Sequence, residues 1–300
     1  MLNLDRLRAL HAVSAHGSIY AAAETLHVTT SAVSQQLAKL EDETGQRLLE
    51  RHGRGVRLTD AGSLLVSRTH EVLSLLEAAE AELESHDSSV VGQVTIAAFA
   101  TAARGLAPTA IRELRARYPQ LAITFHEQES PESIERLVRR EVDLIVVNDW
   151  HDAPLTLPGG ISKTLLFDDV ADIALPPGHR LAKRKSIKLS ELAGEPWIAW
   201  QSGSMCCDWL HQTLRRQGQE PNIAHTAAEY ATQLALVAAG LGACVLPRLG
   251  RDPLPKSVTV VAAEPALRRH VHAAWRTHSG RRSVIRAAVE AFELAASRVK

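Results

Sequence analysis

Residues 18–45 read Ser-Ile-Tyr-Ala-Ala-Ala-Glu-Thr-Leu-His-Val-Thr-Thr-Ser-Ala-Val-Ser-Gln-Gln-Leu-Ala-Lys-Leu-Glu-Asp-Glu-Thr-Gly, a pattern that predicts two short helices joined by a tight turn. Ser18 follows Gly17 and is placed to cap a helix whose inward face is Ile19, Ala22, Ala23 and Leu26. The two alanines are small, as a close helix crossing requires. His27 and Val28 make the turn, Thr29 caps the next helix, and Val33, Leu37 and Leu40 face inward at helical spacing. That leaves Thr30, Ser31, Ser34, Gln35 and Lys39 on the outer face, and Gly45 supplies the left-handed residue that ends the helix. Small hydroxyl and amide side chains at a helix start suit a major groove, where they reach base edges. Upstream, Asn3 caps a supporting helix with the stripe Leu4, Leu7, Leu10 and Val13. The same pair of helices also fits the end of a plain three-helix bundle, so the flanking residues have to decide.

They favour nucleic acid. Arg47, Arg51, Arg54 and Arg57 surround Gly53 and Gly55 between the apolar pairs Leu48-Leu49 and Val56-Leu58. This predicts a small hairpin wing with arginines at its tip, suited to phosphates or a narrow minor groove. Bulk charge adds nothing: residues 1–60 hold Arg6, Arg8, Lys39, Arg47, Arg51, Arg54 and Arg57 against Asp5, Glu24, Glu41, Asp42, Glu43, Glu50 and Asp60. The head is neutral, so the position of its cations, not their number, has to bring it to DNA.

Several segments together resemble the LysR-type transcriptional regulators, and the likeness runs essentially from end to end. It is carried by Ala21-Ala22-Ala23-Glu24-x-Leu26-His27-Val28 and Ser31-Ala32-Val33-Ser34-Gln35-Gln36-Leu37-x-x-Leu40-Glu41. Gly45-x-x-Leu48-x-x-Arg51 and Arg57-Leu58-Thr59-x-Ala61-Gly62 complete it. The resemblance implies a winged helix-turn-helix domain over 1–59, a linker and dimerisation helix with hinge over 60–90, and an effector-binding domain over 91–300. It further implies two periplasmic-binding-protein-like lobes, about 91–164 with 269–300 and about 165–268, crossed twice by the chain. The implied function is sequence-specific regulation of transcription modulated by a small molecule held between the lobes. The implied partners are double-stranded promoter DNA, an unidentified effector and copies of the same chain, as a dimer through 60–86 and a dimer of dimers.

The residues between head and effector region have their own pattern. Thr59 caps a long helix with Asp60 at the positive end of its dipole. Gly62, Thr69, Leu76 and Leu83 fall seven apart, as do Leu65, Val72 and Ala79, which predicts a seam buried against a partner helix, with packing on its own domain as the alternative. Arg68 stands against Glu71, Glu77, Glu80, Glu82, Glu84 and Asp87 on a solvated face, and Asp87-Ser88-Ser89 reads as a hinge.

Beyond Val91 strands and helices alternate. Strands are expected at 94–98, 121–125, 142–147, 170–175, 197–200, 242–246 and 270–275. Helices are expected at 102–118, 131–140, 205–217, 229–239 and 281–299. Alternation on this scale argues an α/β fold with mostly parallel sheets. Such sheets take ligands at strand carboxyl ends beside helix N-termini. Thr101, Ser130 and Asn148 follow or end the first three strands, and Ser202, Gly203 and Ser204 precede a helix in the second lobe; these match the family positions that line the effector cleft. Relatives that bind aromatic carboxylates have an Arg at the third strand's end where this chain has Asn148, with Trp150 beside it, so the effector stays open. Arg140 stands where the family has a glycine, and a different turn is expected there.

Other chemistries find little support. The spacing of Cys207 and His211, and the vicinal Cys206-Cys207, suggest a redox pair or soft-metal site, against a plain apolar filler role at a helix start. His270 and His272 share one strand face as ligands, a pH-sensitive pair or structural residues. No nucleophile elbow, Walker or dinucleotide fingerprint occurs. The expectation is therefore no enzyme, no metal and no cofactor. No apolar stretch reaches the ~18 residues of a membrane span. The start runs directly into a capped helix without a signal-peptide pattern, and three cysteines give no disulfide framework, which suits the bacterial cytoplasm. The alternative reading is a two-lobed small-molecule-binding protein or enzyme with an N-terminal docking segment.

Overall fold

The computed structural model describes residues 2–52, 55–86, 90–251 and 253–299, with side chains described for all of these except 77, 80–82 and 84–86. Arg54 at the expected wing tip and the expected hinge at 87–89 lie outside the described residues. The chain divides into two compact units, one centred on Met1–Ser89 and the other on Val90–Leu137, Val142–Arg276 and Val284–Lys300.

The first unit begins with three helices, α1 (Leu4–His16), α2 (Ile19–Thr25) and α3 (Thr30–Thr44). Each starts on a side-chain cap: the Asn3 oxygen accepts from the Asp5 and Arg6 N–H groups, Ser18 from Ala21 and Thr29 from Ala32. α1 and α3 end on glycines with φ of +66° and +64°. Leu7, Leu10, Val13, Ala22, Ala23, Val33, Leu37 and Leu40 form one core, closed by Leu48. A two-stranded wing follows, β1 (Leu49–His52) antiparallel to β2 (Gly55–Leu58). The long helix α4 (Asp60–His86) then starts on Thr59, whose hydroxyl accepts from the Gly62 N–H and donates to the Arg47 carbonyl. Gly62 is required there, since a Cβ would stand 2.1 Å from the Leu48 carbonyl oxygen.

The seam on α4 departs from the expected heptads. Leu65 and Val66 pack on the core of the three helices, and Thr69 is buried. From Val72 onward Val72, Leu75, Leu76 and Leu83 are exposed. Gly62 and Leu65 thus serve their own domain, and Leu75 joins Val72, Leu76, Ala79 and Leu83 on the open stripe. Sequence spacing could not show where one use of the helix ends and the other begins, because both keep apolar residues three and four apart.

The second unit contains β3 (Gly92–Ala98), α5 (Ala100–Gly105), α6 (Ala107–Arg117), β4 (Leu121–Glu127), α7 (Ser130–Val138) and β5 (Leu144–Trp150). It continues with β6 (Ile161–Leu175), β7 (Ser186–Ile187), β8 (Trp197–Ala199), α8 (Met205–Arg216), β9 (Ile223–Thr226) and α9 (Tyr230–Ala238). β10 (Cys244–Pro247), β11 (Thr259–Arg276) and α10 (Ser283–Ser297) complete it. The main sheet runs β10-β6-β11-β5-β3-β4 with β7 beside β11, and β8 and β9 form a small second sheet.

The expected mostly parallel sheet is mixed. β4, β3 and β5 are parallel, but β5, β11, β6 and β10 pair antiparallel. β6 and β11, 15 and 18 residues long, carry the antiparallel pairing from one core to the other. One core gathers Ala171, Ile173, Leu192, Trp197, Leu210, Leu234 and Val245, and the other Val94, Ile96, Leu114, Leu144, Val146, Val271 and Phe292. Sequence reading found only the fully buried end of β6, because its first half alternates and carries Lys163, Asp168 and Asp169. The single helix expected over 102–118 is broken at Leu106, and Pro108, which has no N–H to donate, sits in the first turn of α6. Arg140 has φ +64°, so it takes the left-handed conformation of a glycine and the turn is kept.

Candidate functional sites

α3 has two unlike faces. Val33, Leu37 and Leu40 are buried, while Thr30, Ser31, Ser34, Gln35 and Lys39 are all exposed. The hydroxyls are partly engaged with their own helix: Ser34 Oγ donates to the Thr30 carbonyl at 2.9 Å, and Ser31 Oγ lies 3.0 Å from Thr29 Oγ1. Thr30, Gln35 and Lys39 make no side-chain hydrogen bond or ion pair among the described residues. Helix start, small polar groups and a rigid apolar back together give a surface that fits a groove and can present donors and acceptors to base edges.

The wing is held from behind by a residue that sequence reasoning did not select. Glu41 Oε1 accepts from the Leu48 and Leu49 N–H groups at 2.7 and 3.2 Å, tying the end of α3 to β1. Only its place in the motif Leu40-Glu41 pointed to it. On the wing, Arg57 stands opposite Glu50 and gives it two hydrogen bonds, from Nε at 2.9 Å and Nη2 at 2.6 Å. Arg51 is exposed and makes no ion pair among the described residues. Arg51 and Arg57 are therefore not equivalent: Arg51 has no ion-pair partner among the described residues and Arg57 is paired with Glu50, while Arg54 lies outside the described residues.

Of the effector-region candidates, Thr101, Ser130 and Asn148 are buried where the head's are exposed. Thr101, in the first turn of α5, is 2% exposed, and its Oγ1 accepts from Arg269 Nη2 at 2.7 Å. Arg269, on β11 and 1% exposed, also bonds Asp169 of β6 through Nε at 2.8 Å, and its guanidinium stands 5.2 Å from the centre of the Phe99 ring. Asp169 in turn accepts from the Leu249 N–H. Ser130 and Asn148 are joined by a 3.4 Å bond from the Asn148 N–H to the Ser130 hydroxyl, and the Asn148 side-chain nitrogen is buried without a hydrogen-bond partner among the described residues. Ser204 caps α8 through Cys207, and Ser202 and Gly203 form an exposed turn before it. No hydrogen bond among the described residues joins Ser202, Gly203 or Ser204 to Thr101, Ser130 or Asn148.

The surroundings supply what the sequence reading missed. Burial pushes the Glu129 carboxyl above the usual carboxylate range, against the pull of the Ala100 N–H and of Arg269. Trp200 meets Tyr230 edge-on at 5.6 Å. Trp150, at the end of β5, stacks on Trp209 of α8 with ring centres 3.6 Å apart. Asp152 accepts from Trp209 Nε1 and from Arg216, both at 2.8 Å. Asp169 and Arg269 are 100 residues apart, so no local periodicity could have paired them.

The thiols are poorly placed for redox chemistry. All three are buried, and burial raises Cys206 and Cys244 to about 12 and moves Cys207 upward. Among the described residues no three His, Cys, Asp or Glu side chains form a metal-holding group, and no helix is long and apolar enough to cross a membrane.

Comparison with known proteins agrees with this layout. Residues 4–63 match the bacterial regulatory helix-turn-helix protein, lysR family, and residues 87–296 match the LysR substrate binding domain. The chain is 30% identical over 300 residues to a probable hydrogen peroxide-inducible genes activator of Streptomyces viridosporus, covering 98% of this chain and 93% of that one. It is 28% identical over 287 residues to the DNA-binding transcriptional dual regulator OxyR of Escherichia coli K12, covering 94% and 92%. In fold it is similar to a full-length OxyR variant from Pseudomonas aeruginosa, with a TM-score of 0.75 at 24% identity over 98% of this chain and 95% of that one. The family models together span nearly the whole chain: it belongs to the LysR family of DNA-binding transcriptional regulators, with a helix-turn-helix head and an effector-binding domain.

Proposed function

We propose that this regulator reads promoter DNA through Thr30, Ser31, Ser34 and Gln35, with Lys39, Arg51, Arg54 and Arg57 on the phosphates. The observation that carries the reading is the row of exposed polar residues on α3, set on a helix whose other face is locked into a core. The exposed stripe Val72, Leu75, Leu76 and Leu83 supports dimerisation through the second half of α4, where apolar surface has no cover within its own unit. Two head copies then read two half-sites, and pairs of dimers extend the contact. We place the protein in the bacterial cytoplasm, where its DNA is.

The effector is taken to bind between the two cores, near Thr101, Ser130, Asn148 and Ser202–Ser204, and to act by changing how the lobes close. The relatives named for hydrogen peroxide suggest oxidant sensing, but all three thiols are buried, and burial raises Cys206 and Cys244 to about 12 and moves Cys207 upward, away from the reactive thiolate, which favours a ligand held without covalent attachment. The test is selection of DNA by the purified chain from a random pool, followed by binding at several salt concentrations. A selected site whose affinity falls steeply with salt supports the reading. Failure to enrich any sequence, with turnover of a small metabolite instead, favours an enzyme or solute-binding protein with a docking segment.

A further inference from the structure

The strands that pass between the two cores carry histidines that neither DNA reading nor the effector site uses. Neighbouring residues of a strand face opposite sides of a sheet, so His270 lies on the face away from Arg269. There it is in register with Asp168 of β6. Its Nδ1–H donates to Asp168 Oδ1 at 2.6 Å, so that in the neutral ring the lone pair is on Nε2. His151, the residue after β5, has its backbone N–H on the Arg268 carbonyl and its Nδ1 at 3.3 Å from that Nε2. Both rings reach solvent: the His270 side chain is 28% exposed, and His151 is exposed.

Two imidazole nitrogens facing each other at this distance share either one proton or one metal ion. Tetrahedral zinc holds nitrogen at about 2.0–2.1 Å, which sets two ligand nitrogens about 3.3–3.4 Å apart. A carboxylate behind a ligating imidazole is the usual partner of such a ligand, since it fixes the tautomer and raises the basicity. We propose that His151 Nδ1 and His270 Nε2 form a site for a borderline divalent cation such as Zn²⁺, with Asp168 holding His270 in the ligating tautomer. With no third protein ligand among the described residues, water completes the shell, and binding is weak and exchangeable.

His272 is not part of the site. It is buried, its ring centre lies 6.2 Å from that of His270, and its Nε2 faces Asp149 at 3.6 Å. Asp149 also faces Lys163 and accepts from the Leu155 N–H, so that corner is occupied by its own charges. The position of His151 gives the site a consequence. It stands between Trp150 and Asp152, the two residues that grip α8 through Trp209 and Arg216. An ion joining His151 to β11 therefore stiffens that grip.

The test is calorimetric titration of the full-length protein with zinc chloride at pH about 7.5 and about 5.5, since a metal must displace the protons on its imidazole ligands. The expected result is one saturable site at the higher pH, weakened at least tenfold at the lower. His151→Gln and His270→Gln should each remove it, Asp168→Asn should weaken it about tenfold or more, and His272→Gln should leave it. His151 is exposed, so its variant keeps the fold, and an unchanged circular dichroism spectrum checks this. No saturable binding by the wild-type protein up to about 1 mM overturns the proposal. So does a site that survives both His151→Gln and His270→Gln, or one that His272→Gln removes as fully as they do.

Discussion

The head and the effector domain use polar residues in opposite ways. On α3, Thr30, Ser31, Ser34 and Gln35 are exposed, and the side-chain hydrogen bonds they make among the described residues are to their own helix end. In the effector domain Thr101, Asp169 and Arg269 are at most 3% exposed and are spent on one another. A surface that reads a rigid duplex can be finished before its partner arrives. A sensor that must change shape holds its polar groups in an internal network that a ligand has to compete with or complete. The same substitution should therefore act on binding in one region and on stability in the other.

The largest expected effect lies in the buried network. Replacing Arg269 with Leu leaves Asp169 charged, buried and short of its partner, at a cost of about 3–5 kcal/mol in unfolding free energy. Urea unfolding followed by tryptophan fluorescence measures this. The double variant Arg269→Leu/Asp169→Asn should lose clearly less than the single one, because no charge is stranded. A single-variant loss below about 1 kcal/mol would break the contrast between the regions. Thr101→Val belongs to the same network: it takes one acceptor from Arg269 and should cost about 1 kcal/mol of stability before any effect on effector response.

Next come the proposed base readers. Ser34→Ala or Gln35→Ala should weaken binding to the selected site by about 1–3 kcal/mol, with little change at random DNA and no change in unfolding. Equal losses on both DNAs would move these residues from reading to general contact.

How much of this contrast was legible in the sequence follows from distance along the chain. The caps Asn3, Ser18 and Thr29, the core of Val33, Leu37 and Leu40, and the outward row of α3 all arise within a few residues, so spacing alone reveals them. The Thr101–Arg269–Asp169 network joins α5, β11 and β6, and nothing near Thr101 announces Arg269. The long strands were missed for a related reason. Where β6 passes between cores it alternates and carries charge, and only its fully buried end looks like a strand of an α/β sheet.

Acid should separate the regions in a third way. Desolvation, with His70 beside it, lowers His11 of the head to about 4 from 6.5. Well above pH 6.5 neither folded nor unfolded chain protonates it. As pH falls from 6.5 towards 4 the unfolded chain takes up the proton first, so stability is lost across that window and the loss is complete below it. Allowing for partial solvent access, the loss is on the order of 1–2 kcal/mol. His11→Gln should flatten the pH dependence of thermal unfolding between those limits, and an unchanged slope would show that His11 is not strained in the fold.

The smallest effect sharpens the description of the head itself. Arg51 and Arg57 sit on neighbouring strands of one wing, yet Glu50 already accepts two hydrogen bonds from Arg57, and Arg51 has no such partner among the described residues. Moving Arg57 onto a phosphate means breaking that pair, which is exposed and worth at most about 1 kcal/mol. Arg51 has nothing to give up. Arg51→Gln should therefore lower the slope of log affinity against log salt by about 1 on every sequence tested, and Arg57→Gln by less. Glu50→Gln frees Arg57 and should tighten binding to all DNA slightly, with a steeper slope. If Arg51→Gln and Arg57→Gln reduce the slope equally, the Glu50 pair opens on binding at no cost. If neither does, the wing does not touch the phosphates.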